Sequence, residues 1–234
     1  MENVLFSYII LLAGYAALVM LLYKEHVKGY SNLQSVLLNN SNPDLVTRKH
    51  LIATALLLAT GVIKNSFSQM HPTVTLNIQW WWLVAAVAVL LTLNISLKAV
   101  QKEEAIALPR LAALRRNFSY LQVLSYLVFR ALFLVAYEFF FRGILLNSLV
   151  TDTGIVAGIL INIILYVTAH WFADKKEIIG CIPFGAILCF ISLASGSIWP
   201  AVILHIALSI PYEGSLFLFV KAGSRRNQHY FIKF

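Results

Sequence analysis

Residues 118–150 read FSYLQVLSYLVFRALFLVAYEFFFRGILLNSLV. A bilayer core of roughly 30 Å needs about 20 residues of helix. This apolar run exceeds 30 residues, so it predicts a long helix that tilts or kinks as it crosses. It also carries Arg130, Glu138 and Arg142 where lipid is expected. The rest of the chain has the same character. Of its 234 residues 60% are hydrophobic and 12% charged, with mean hydropathy +0.79. Soluble domains run near 45–50% and about 25%, and a folded chain of this size cannot hide so much apolar surface. An ordinary soluble domain, a disordered chain and a collagen-like fibre are excluded. The reading is an all-α, polytopic transmembrane helical bundle.

Working outward, apolar runs at 4–23, 50–67 and 78–97 predict three spans upstream, the third opened by Trp80-Trp81-Trp82 as an interfacial belt. The first is too long for a signal-peptide core and lacks a basic flank, so it reads as a retained helix. Asn39-Asn40-Ser41-Asn42-Pro43 marks a turn between the first two. Residues 98–117 form a basic connector. In it Leu108, Leu111 and Leu114 fall at helical spacing among Arg110, Arg115 and Arg116. It fits an interfacial helix and a plain loop equally. Downstream, Thr151-Asp152-Thr153-Gly154 is a break, and spans follow at 155–172, 178–194 and 199–220. That makes about seven spans, or eight if the long segment is two elements. Cys181 and Cys189 show no disulfide or metal spacing.

In the seven-span arrangement, 15 of the 18 Lys and Arg residues fall on one side. The other side holds only Lys64, and Arg130 and Arg142 lie within a span. The positive-inside rule then puts the N-terminus outside and the C-terminus in the cytoplasm. It also accounts for the net charge of +8 without nucleic acid. The expected partners are the lipid bilayer and a peptide or protein substrate. An eighth span would spoil the charge split. The domains read as N-terminal membrane helices with the connector (1–117), a core (118–220) and a basic cytoplasmic tail (221–234).

Ionisable groups inside a span default to function. Glu138 and Arg142 are spaced i, i+4 on one face, a spacing that fits a simple ion pair and a functional role alike. His170 lies beside Trp171 at a span end. His205 sits six residues into an apolar helix, with Ser209 one turn on. A carboxylate and two imidazoles from three spans are the minimum parts for activating a water and holding an oxyanion. The same trio suits a proton relay or a zinc site, although no HExxH occurs. No repeat of the kind that marks transporters is present. Depth gives a check. At 1.5 Å per residue, Glu138 lies about 18 Å from Val150, His170 about 24 Å from Gly154 and His205 about 9 Å from Trp199, which is three different levels.

Tyr137-Glu138-Phe139-Phe140-Phe141-Arg142-Gly143 resembles the E-E-x-x-x-R-G signature of the CPBP family, the CAAX prenyl endopeptidase type II and bacteriocin-processing (Abi) membrane proteases. Tyr166-Val167-Thr168-Ala169-His170 is similar to its F-x-x-x-H motif, and His205-Ile206-Ala207-Leu208-Ser209 to its H-x-x-x-N motif. The resemblance spans about residues 120–219. It implies an intramembrane endopeptidase, expected in a bacterial plasma (inner) membrane. His170 would help activate water, His205 would hold the oxyanion, Arg142 would be structural, and Glu138 would match the motif's second glutamate. Two positions depart from the pattern. Tyr137 replaces the first glutamate and Ser209 replaces the asparagine, which leaves room for a catalytically impaired member acting as a scaffold or immunity-like protein. A glutamate-type mechanism would need no cofactor. Glu138, His170 and His205 would be the ligands if zinc were used. The final residues Phe231-Ile232-Lys233-Phe234 form no CaaX box.

Overall fold

The computed structural model describes residues 2–29, 32–38, 42–67, 80–106 and 118–231. All regular structure among them is helical: α1 (Glu2–Val27), α2 (Leu33–Leu38), α3 (Asp44–Phe67), α4 (Trp81–Ile106), α5 (Tyr120–Glu138), a π-helical segment (Phe139–Leu145), α6 (Leu146–Thr153), α7 (Ile155–Ala169), α8 (Lys175–Ser195) and α9 (Trp199–Phe231). Six helical stretches are long and apolar enough to cross a bilayer, and α7 is a shorter apolar helix. The chain is an all-α polytopic membrane protein.

Local chemistry sets the ends. Ser119 caps α5 in a reciprocal box with Gln122, which satisfies two free N–H groups. Asp174 caps α8 by accepting from Lys176 N and Glu177 N, and Gly196 ends it in the left-handed conformation. The long segment is one continuous helical rod, Tyr120–Thr153, and not two spans. Its break falls at Gly154 alone, at φ 86°. Helix α9 runs through Phe231. The connector leucines and arginines at 108–116 lie outside the described residues, as do the side chains of the 221–234 tail.

A hairpin about Gly154 explains how the site residues meet. Glu138 and His170 each lie 16 residues from Gly154, so an antiparallel pairing of the rod with α7 brings them level. Gly158 permits the close approach, because a Cβ there would stand 2.7 Å from Val150 N. The turn before α9 packs against the middle of the long rod. Ile198 lies where a Cβ on Gly143 would touch it at 3.4 Å, beside the π segment and not level with Gly154. His205 thereby reaches the depth of Glu138. The three levels came from measuring each residue to its own span end, and those ends are not coplanar.

Candidate active site

Glu138 closes α5 and is fully buried. Its Oε1 lies 2.6 Å from His205 Nδ1. Its Oε2 lies 3.2 Å from Arg142 Nη1, an ion pair whose alignment falls short of a hydrogen bond. Arg142 is buried as well, its guanidinium 4.4 Å above the Tyr166 ring, a desolvated cation–π contact. One carboxylate thus joins an arginine and an imidazole in an apolar interior, where each lone charge would be costly.

His170 caps the end of α7, and its Nδ1 lies 2.9 Å from Tyr166 O. A carbonyl can only accept, so Nδ1 carries the proton and neutral His170 keeps its lone pair on Nε2. Tyr137 stands between the two imidazoles, its ring centroid 6.1 Å from His170 and 5.8 Å from His205. The Tyr137 hydroxyl is buried without a hydrogen-bond partner among the described residues. A cavity of about 120 Å³ is lined by Tyr137, His170, His205, Lys49, His50 and Arg130, among others.

The structure therefore gathers Tyr137, Glu138, Arg142, His170 and His205. Ser209, one turn beyond His205 on α9, is half-buried and does not line this cavity. Glu138 commits its carboxylate to His205 and Arg142. Among the described residues no cluster of three His, Cys, Asp or Glu side chains is placed to hold a metal. These donors do not fit a zinc ion.

Sequence reading passes over part of this neighbourhood. Arg130 Nη2 pairs with Glu213 Oε1 at 3.0 Å, Tyr126 Oη donates to Glu213 Oε2 at 2.9 Å, and Arg130 Nη1 lies 3.4 Å from His50 Nε2. His50 is far from the motifs in the chain and Glu213 lies one turn past Ser209 on α9, and packing of α3, α5 and α9 brings both to Arg130. Asn162 is missed for another reason. It carries no charge, so a search for ionisable residues skips it, although one amide within the apolar run of α7 is itself a signal.

Residues 115–210 match the family model of the Rce1-like type II CAAX prenyl endopeptidases. Over this segment the chain is CPBP-like. No curated protein and no solved structure matches it. The CPBP-like segment runs from just before α5 to residue 210 on α9, and it contains all five gathered side chains. The matching model describes a protease family. Tyr137, which the sequence resemblance sets at the first motif glutamate, stands with its ring beside both histidines.

Proposed function

We propose that the protein is an intramembrane endopeptidase in which His205, backed by Glu138, takes a proton from the attacking water. The 2.6 Å contact between His205 Nδ1 and Glu138 Oε1 carries this reading. A carboxylate that holds Nδ1–H leaves the Nε2 lone pair as the base and balances the imidazolium that forms. The same imidazolium then returns the proton to the leaving amine. His170 has the matching tautomer, but its Nδ1 is held by a backbone carbonyl and not by a carboxylate, so it orients the water. Arg142 holds Glu138 in place. His205 thereby takes the water-activating role that the family resemblance implies for His170, and no carboxylate is needed at position 137.

The family's description points to prenylated CAAX tails as the substrate class, and a cavity inside a membrane bundle suits a lipid-bearing peptide. The test uses the full chain reconstituted in bilayers, with prenylated and unprenylated CAAX-terminated peptides. Wild type is expected to cleave the prenylated peptide. His205→Ala and Glu138→Gln should each lose at least about 100-fold in kcat. Equal background cleavage by all three proteins would refute the peptidase reading and point to a non-catalytic membrane protein.

A further inference from the structure

The π-helical segment lies directly behind the site, between Glu138 and α6. Such turns are rare, and where they occur they often mark functional positions. Within a bilayer a widened turn has no water to bond its carbonyls, so side chains of the protein take that place. Two side-chain amides do so. Asn147 Nδ2 donates to Gly143 O at 2.8 Å. Asn162 Nδ2, from α7, donates to Phe141 O at 2.8 Å, the carbonyl that also accepts the Leu146 N–H across the π turn.

Asn162 is the more telling of the two. It is fully buried and belongs to a different helix from the turn it holds. Its Oδ1 accepts from Cys189 Sγ at 3.3 Å, so one side chain ties the π segment, α7 and α8 together. It also belongs to a ladder spaced every fourth residue along one face of α7. Gly158 admits the Val150 backbone, Asn162 holds Phe141 O, Tyr166 lies under Arg142, and His170 meets Tyr137. The residue after Phe141 is Arg142, so a shift of that carbonyl moves the guanidinium that holds Glu138.

We infer that Asn162 is a positioning residue: its amide fixes the π turn and thereby the Arg142–Glu138–His205 chain. The inference rests on the proposed role of the Glu138–His205 pair in the chemistry. The test compares wild type, Asn162→Leu, which keeps the volume and loses the donor, and Asn162→Gln, which keeps an amide. The full-length protein is studied in lipid nanodiscs. Histidine-labelled NMR reads the His205 Nδ1–H signal, assigned by its absence in His205→Ala, and kinetics on the prenylated peptide read kcat and KM. In Asn162→Leu the His205 signal should move or vanish. Its kcat should fall by about 100-fold, the cost of roughly 1 Å of misplacement, with KM held within about twofold. Asn162→Gln should recover both. An unchanged His205 signal in Asn162→Leu overturns the inference, whatever kcat does, and so does failure of Asn162→Gln to recover it. If Asn162→Leu does not fold, Asn162→Ser, whose hydroxyl is too short to reach Phe141 O, replaces it in the same readouts. A wild type without turnover refutes the peptidase reading and leaves the His205 signal to decide this one.

Discussion

At the scale of single residues, the Glu138 carboxylate concentrates the energetics of the site. It is enclosed with one cation and one imidazole, so removing one partner strands a buried charge. Arg142→Met should destabilise the protein by about 3–5 kcal/mol, measured by denaturant unfolding in micelles. Glu138→Gln combined with Arg142→Met should be less harmful than the two single effects added, because neither charge is then left alone. Equal, additive losses would mean that the two groups are not coupled. Ser209 is the counter-case. It does not line the cavity, so Ser209→Ala should change the activation free energy by no more than about 0.5 kcal/mol, read from kcat/KM. A loss of 100-fold would restore the oxyanion role that the family pattern implies for that position.

At the scale of elements, the hairpin of the long rod with α7 depends on two glycines for different reasons. Gly154 has open space around it but sits at φ 86° and ψ 165°, a region essentially reserved for glycine, so Gly154→Ala should cost about 1–3 kcal/mol of backbone strain. Gly158 has ordinary backbone angles, but a Cβ there meets the Val150 backbone. Gly158→Ala should cost about 1–3 kcal/mol by forcing the helices apart, and it should also lower kcat, since Asn162, Tyr166 and His170 share that face. Gly180 is the control. Nothing lies within 4 Å of its Cβ position, so Gly180→Ala should stabilise α8 by about 0.5–1 kcal/mol. Thermal unfolding of the three variants in one detergent ranks them. The elements were legible where hydrophobic runs were long, as in α5, α8 and α9. Helix α7 was predicted to continue through Phe172, but it ends at Ala169, because His170 turns back to bond the Tyr166 carbonyl. The π segment left no trace in hydropathy, since FFFRGIL has the same apolar pattern in either helical form.

At the scale of the whole molecule, topology depends on α7. Its 15 residues span about 22 Å, less than a full hydrocarbon core. Seven crossings put the two ends of the chain on opposite faces, and six would put them together. We propose the seven-crossing arrangement, with the basic loops in the cytoplasm. Single cysteines at Asp152 and Lys175, in a chain lacking Cys181 and Cys189, should react with an impermeant maleimide from opposite faces of sealed vesicles. Labelling from one face only would show that α7 dips in and returns.

Composition, run length and charge asymmetry by themselves determined that this chain is a bundle of membrane helices. Those properties follow from the solvent, because a bilayer demands apolar side chains and internally bonded backbone over a set length. The motif residues Glu138, Arg142, His170 and His205 were visible too, since a charge or imidazole in lipid is expensive enough to stand out. Tertiary structure alone decided that they meet. Their depth depends on where turns sit along the neighbouring helices, and the packing of the turn before α9 on the long rod and the hairpin at Gly154 cannot be read from span ends. It also decided which partner each one takes: Glu138 is bonded to His205 and not aimed at a metal, and Asn162 is bonded to the π turn. Hydrogen-bond partners 21 and 67 residues apart are chosen by packing between helices, which no local pattern encodes.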